Sequence, residues 1–406
     1  MGPMIIFDKS TLQSLRPDEA CWLDAFYLPI VAPLFYVETL GDLEKQVAKG
    51  RTPEQVVGNL AEKTPPNACA NVHHRALVLS ELMGDFIVTM DGRPVVGGSR
   101  SVVTEDQRGV LIALSPEMQA LSRWQSGHFL EVEREFARTW RRQLSGINLD
   151  MIYHQYRCKL PTLEDAKEAA SSFIRSSPYT SLKLAFEMLD IEERFKWRIL
   201  ARWGMLGCPQ LSSFAPYTAH VMCVEMFFNF AIGADLISRE RPSNKIDIAY
   251  LYYLPFCMIF ASNDGLHERT AKCFLRSDQI FLRGDELKAD LAKLDEYYSK
   301  LPDNVKERGV MSFASQPPQD GFLITSLWDR FMVPDWRSHK EISPEAISDS
   351  DLVKRINRLT KASKGDDKND VPFFHAEDGD FMLIERSVPL RMGKWRLLPP
   401  EVERDQ

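Results

Sequence analysis

The sequence predicts an α/β protein built on a parallel sheet, and three observations carry that reading. Two short apolar runs, residues 4–7 and 256–261, stop abruptly in polar residues, Asp8-Lys9-Ser10 and Ser262-Asn263-Asp264. Each run is followed by helical pattern and then by a further strand candidate, an alternation that belongs to crossover units rather than hairpins. Acidic residues also recur at strand ends and helix starts, at Asp8, Glu38, Asp247 and Asp264.

The elements follow in order. Residues 4–7 form the first strand, and Pro17-Asp18-Glu19 reads as a helix first turn with acids at the positive end of the dipole. Residues 30–37 are the second strand candidate, with Pro33 implying an edge position or a strand entry. Glu38 follows, then a helix over 39–48, with Asp42 one turn beyond Glu38 on the same face. Residues 1–50 therefore make the first part of an α/β core.

From 51 to 239 the pattern is that of a large, mostly helical insertion. Residues 86–90 and 95–103 bracket Asp91-Gly92-Arg93-Pro94 as a hairpin. Helices are expected over 116–145, 162–176, 180–204 and 216–239, the second opening on a Thr162-x-x-Asp165 cap. Residues 240–300 resume the core. Asp247 sits in a short helix, Pro255 ends it, and residues 256–261 are the buried strand. A helix over 266–275, a strand at 279–282 and a helix over 285–294 complete that part. Residues 301–406 read as a small C-terminal α+β extension, with a polar linker at 363–370 and short strands near 381–385 and 394–398.

Length and composition fit this plan. At 406 residues the chain has room for two or three domains, and 44% hydrophobic with 26% charged residues is ordinary for a folded protein. A net charge of −7 means that any nucleic-acid binding needs a local basic patch. Two stripes qualify: Arg134, Arg138, Arg141 and Arg142 around Trp140, and the 352–364 segment with Lys354, Arg355, Arg358, Lys361 and Lys364. Both also read as solvated helix faces. The seven cysteines are scattered without a C-x-x-C pair, as expected of reduced thiols in a cytoplasmic protein. Cys69 with His73 and His74 lacks the second pair that a structural zinc requires. No run is apolar enough for a membrane span, and residues 1–9 carry no signal-peptide pattern. A phosphate-binding G-x-x-x-x-G-K-[ST] loop and a G-x-S-x-G elbow are both missing from the sequence.

The chemistry lies in the carboxylates. Parallel strands side by side bring their carboxyl ends together, where ligands bind in open α/β sheets. Clustered carboxylates repel unless neutralised, and hard divalent cations with oxygen ligands do this. At this point the residues resemble a family. Met4-Ile-Ile-Phe-Asp8-Lys-Ser10, Pro33-Leu-Phe-Tyr-Val-Glu38 and the Asp247-(x16)-Asp264 pair with Ser262-Asn263-Asp264 are similar to the PIN-like nuclease superfamily. The resemblance covers residues 4–50 and about 244–296.

It implies a parallel sheet flanked by helices and an Mg²⁺- or Mn²⁺-dependent site. Asp8, Glu38, Asp247 and Asp264 would be both the catalytic acids and the metal ligands. The implied reaction is phosphodiester hydrolysis, on single-stranded or structured RNA in preference to DNA. Ser10 resembles the small hydroxyl residue near the first acid; Asn263, His267, Lys354, Arg355 and Arg358 are candidates for substrate contact. The departure from the family is the gap of some 200 residues between Glu38 and Asp247. The alternative expectation is a non-catalytic PIN-like scaffold that binds a protein partner through the helical insertion, its acids splayed or paired with Arg or Lys.

Overall fold

Ile5, Ile6 and Phe7 are all buried, so the first strand must be covered on both faces. The computed structural model describes residues 2–103, 108–112, 116–338, 370–374, 381–384 and 388–400. In chain order its strands are β1 (Met4–Phe7), β2 (Leu28–Val31), β3 (Cys69–Ala70), β4 (Val96–Val103), β5 (Arg108–Ile112), β6 (Ile259–Ser262), β7 (Ile280–Arg283), β8 (Asp370–Phe374), β9 (Phe381–Ile384), β10 (Arg391–Met392) and β11 (Trp395–Arg396). The main sheet is all parallel, in the order β3-β2-β1-β6-β7. The expected α/β class with helices on a parallel sheet is what the chain adopts.

The period of two along the strands divides the core into two layers. Ile5, Phe7, Ile259 and Ala261 join one cluster, with Trp22, Trp124, Leu291 and Trp328 from covering helices. Ile6, Ile30 and Phe260 join the other, together with Ala170, Trp203, Met222 and Phe227 from the helical block. The helix Pro216–Gly233 at the centre of that block is apolar nearly all round and buried accordingly. Its first turn has no cap from its own neighbours; the buried Glu81 carboxylate accepts from the backbone N–H of Tyr217 and Thr218. The helical block thus covers both sheet faces, residues 77–96 and 149–237 packing on one and residues 56–68 and 118–137 on the other. The main sheet also takes β3 from within it, past residue 50.

Several local expectations are corrected. Residues 30–37 are not one strand: β2 ends at Val31 and Pro33 opens the helix Pro33–Gly41. A proline at the first helical position loses no hydrogen bond, since that N–H has no intrahelical partner. Glu38 consequently lies in the second turn of this helix rather than opening one. A further short helix, Leu43–Val47, follows. The helix expected over 116–145 breaks into Pro116–Gln125 and Glu131–Ser145 at Gly127, whose φ of 81° is left-handed. That over 180–204 breaks near Asp190, φ 54°, and that over 216–239 stops short of Asp235, φ 57°. Residues 86–90 form no strand, and β4 pairs instead with β5 and β8. Backbone groups nearby are used elsewhere: Gly92 N–H donates to Pro255 O at 2.8 Å, and Met90 O accepts from Arg276 at 2.9 Å. Pro255 lies inside the 3₁₀ helix Tyr250–Phe256, so β6 begins only at Ile259.

The described C-terminal strands pair or pack with earlier parts of the chain. β8 and β9 flank β4 and β5 in a four-stranded sheet, β9 running parallel to β5. The β10–β11 hairpin buries Met392 and Trp395 in the main core, where Trp395 meets Trp22 edge-on at 4.8 Å and donates to Asp295 at 2.6 Å. Of the linker read over 363–370, residues 363–369 lie outside the described residues, and Asp370 instead opens β8.

Thr162 caps its helix, its hydroxyl accepting from Asp165 N–H at 3.1 Å and donating to the Asp165 carboxylate at 2.6 Å. That carboxylate takes the hydroxyl in place of the Thr162 N–H that a full capping box would use. Thr162→Ala is expected to cost about 1 kcal/mol of stability in urea unfolding. A change below a few tenths would mean that the helix is held by its packing alone.

Candidate metal centre

The sheet order places β1 beside β6, with the chain continuing to β2 on one side and to β7 on the other. This is a topological switch point, where crossovers diverge and leave a crevice at the strand carboxyl ends. Asp8 follows β1 and Asp264 lies just past the end of β6, so these two acids flank the crevice from adjacent strands. Glu38 comes from the helix after β2, and Asp247 from the helix Asn244–Ala249. Glu38, Asp247 and Asp264 line one open cleft of 1210 Å³, together with the exposed cations Lys45, Arg241 and Arg269.

Asp8 sits behind that cleft, 3% exposed. Its Oδ1 accepts from Thr11 N–H at 2.9 Å, capping the helix Lys9–Ser14. Its Oδ2 accepts from the hydroxyls of Ser10 at 2.7 Å and Ser262 at 2.8 Å. His267 Nδ1 stands 3.6 Å from the same oxygen. With Asp8 ionised, as its lowered pKa implies, the proton count at Ser262 sets the charge on this histidine. The hydroxyl has one proton, given to Asp8, and accepts from Asp264 N–H at 2.9 Å. Its 2.8 Å contact with His267 Nδ1 therefore needs a proton on that nitrogen. The 2.8 Å contact of Nε2 with the Asp247 carbonyl oxygen needs a second. His267 is an imidazolium and forms a buried ion pair with Asp8.

The electrostatics agree. Burial works to raise the Asp8 pKa, but His267, Thr11 and Ser10 outweigh it and hold the carboxyl below the usual aspartate value. Burial works to lower the His267 pKa, and Asp8 with Asp247 lifts it above the usual histidine value.

Lys9 holds the other side of the site. Its side chain is 6% exposed, and its ammonium donates to Glu38 O at 3.2 Å and to the Asp42 carboxylate, with Glu38 Oε1 at 3.4 Å. Tyr250 donates to Glu38 Oε2 at 2.9 Å. Burial raises the Glu38 pKa, helped by Asp8 and Asp42 and opposed by Lys9. Asp42 behaves oppositely: burial raises its pKa, but Lys9 and Lys45 bring it below the usual value. Asp247 has no hydrogen-bond partner for its carboxylate among the described residues. Burial, then the charges of Glu38, Asp264 and Asp8, push its pKa to about 7 against the pull of His267.

Asp264 and Asn263 build the loop that carries these groups. Asp264 Oδ1 accepts from Leu266 N–H at 2.6 Å, and Asn263 Oδ1 accepts from Asp285 N–H at 2.8 Å. Gly284 is needed for that second contact, since a Cβ there would meet Asn263 Nδ2 at 2.7 Å and Thr11 Oγ1 at 2.8 Å.

Of the residues read from the sequence, Glu38, Asp247 and Asp264 line the cleft, Asp8 backs it, and Ser10 and His267 are spent on Asp8. Asn263 serves the loop. Lys354, Arg355 and Arg358 lie outside the described residues. In the first basic stripe, Arg134 pairs with Glu54 and Glu131, Arg138 with Glu131 and Glu135, and Arg142 with Glu135. These arginines are committed to neighbouring glutamates. Lys9, Tyr250 and Ser262 were missed as site residues, although Lys9 and Ser262 stand inside the quoted motifs.

Oxygen donors of this kind suit a hard divalent cation, and the unpartnered Asp247 carboxylate is the free donor that such an ion would take. They do not stand as a finished cage, because among the described residues no three acidic, His or Cys side chains are grouped closely enough to hold an ion. No described helix is long and apolar enough to cross a membrane. Compared with family models, curated proteins and solved structures, the chain matches none of them.

Proposed function

We propose that the chain is a PIN-like, metal-dependent nuclease that hydrolyses phosphodiester bonds in RNA in preference to DNA, with this cleft as its site. One observation carries the reading: carboxylates from three separate segments, Glu38, Asp247 and Asp264, line a single open cleft at the sheet's switch point, with Asp8 directly behind. Glu38, Asp247 and Asp264 would hold Mg²⁺ or Mn²⁺, which when bound supplies Lewis-acid stabilisation of the phosphorus centre and a water of lowered pKa.

The chain's own residues do the rest. Asp8 and His267, through Ser262, hold the 262–264 turn and so aim Asp264. Asp247, raised to about 7 by burial and by the neighbouring acids, would give up its proton on taking the ion. Arg241 has no ion-pair partner among the described residues, and with Lys45 and Arg269 it offsets phosphate charge along the cleft. An open cleft accommodates a polymer, where a small phosphoester would call for a closed pocket.

A second reading has a specific observation in its favour. Lys9 pairs Glu38 and Asp42, and His267 pairs Asp8, as in a non-catalytic scaffold whose acids are neutralised from within. Cleavage of labelled single-stranded RNA and DNA with Mn²⁺, Mg²⁺ or EDTA separates the two. Metal-dependent cutting is expected in the wild type, reduced by at least ~100-fold in Glu38→Gln and Asp264→Asn. Cutting that survives both substitutions belongs to a contaminant. Neither cutting nor Mn²⁺ binding by the wild type leaves the scaffold.

A further inference from the structure

We infer that Lys9 is a resident cation of the acidic site, filling its Glu38–Asp42 side so that the remaining carboxylates take one divalent ion and not two. This rests on the metal-dependent reading above. The Lys9 ammonium has three protons and three oxygen neighbours: the Glu38 carbonyl, the Glu38 carboxylate and the Asp42 carboxylate. Carbonyl and carboxylate oxygens are the donors that a hard ion also uses, so a metal on this side would have to displace the lysine.

Displacement is opposed by the fold. The stem of Lys9 leaves the first turn of the helix that Asp8 caps, and its side chain is almost wholly buried. An ammonium withdrawn from its oxygens in that setting is a buried unpaired charge, which is costly. On the other side of Glu38 the situation differs. Among the described residues the Asp247 carboxylate has no hydrogen-bond partner, and Asp264 uses one oxygen on Leu266 N–H. Neutralisation is therefore finished at one end of the cluster and unfinished at the other. The single positive charge of Lys9 also lowers the affinity of any ion bound nearby.

Mn²⁺ binding to the EDTA-stripped full chain, followed by electron paramagnetic resonance and calorimetry, tests this without reference to activity. The wild type is expected to bind one Mn²⁺, lost in Asp264→Asn. Lys9→Met should bind a second ion and hold the first at least ~10-fold more tightly. Lys9→Arg, which keeps the charge, should bind one ion as the wild type does. Lys9→Gln keeps a donor for the Glu38 carbonyl and carries the same expectation as Lys9→Met if the latter fails to fold, as read by circular dichroism. One ion of unchanged affinity in the neutral variants would overturn the inference. Binding in the neutral variants but none in the wild type would support Lys9 as the resident cation and remove the nuclease reading instead. No binding in any chain overturns both.

Discussion

At pH 8, Asp247→Asn is expected to be more stable than the wild type by about 2 kcal/mol in urea unfolding, and the gain should vanish near pH 4. The sign follows from the direction of the pKa. Asp247 is raised to about 7 in the folded protein by burial and by Glu38, Asp264 and Asp8. In the unfolded chain it ionises near 4, so between about pH 4 and 7 the unfolded state gives up its proton first. Stability is then full below the unfolded value and lost as pH rises through the folded one. Asparagine removes that loss. The figure is set below the full value of the shift because Asp247 is partly exposed to the cleft. Added Mn²⁺ should raise the stability of the wild type and leave Asp247→Asn nearly unmoved, since an ion that binds only the folded state stabilises it by mass action. A stabilised variant with lost function is the trade-off of a group kept for chemistry. If Asp247→Asn were less stable at pH 8, the carboxylate would be a structural acceptor and the cleft would lose its free donor.

His267→Gln should cost ~3–5 kcal/mol near pH 6, because it leaves the Asp8 carboxylate buried without its counter-ion. Two pH edges bound the effect. His267 is raised, so its contribution is complete below its unfolded value near 6.5 and is lost as pH climbs through the higher folded value. Asp8 is lowered, so its contribution is present above its unfolded value near 3.8 and is lost as pH falls through the folded one. The difference between wild type and variant should thus be widest between about pH 4 and 6.5. Asp8→Asn in the same chain should restore part of the loss, because the charge that His267 serves is then gone. A cost under 1 kcal/mol at pH 6, with no narrowing at either edge, would show that the pair is not ionised.

The class of the fold and the places of the acids are legible in the order of the residues alone. An apolar run that stops at Asp8, and another that stops at Ser262-Asn263-Asp264, mark two strand ends because burial requires apolar side chains and strand ends do not. Asp247 is legible on a short helix for the same kind of local reason. Glu38 is legible as an acid after the second strand, although Pro33 reads equally as a strand breaker or a helix start until the chain's path is known. A strand of two residues such as β3 carries no period to detect. The pairing of β8 and β9 with β4 and β5 spans hundreds of residues without a local signal.

The site's balance of charge was decided only in three dimensions. Lys9 sits beside Asp8 in the chain, where a lysine reads as solvated. Its ammonium crosses instead to oxygens 29 and 33 residues away. His267 likewise reads as a helix histidine of no fixed charge, and becomes an imidazolium only because Ser262, Asp8 and the Asp247 carbonyl surround it. Periodicity reports which side chains leave water. Which cation neutralises which buried acid depends on distances across the sheet, and those exist only once the chain has folded.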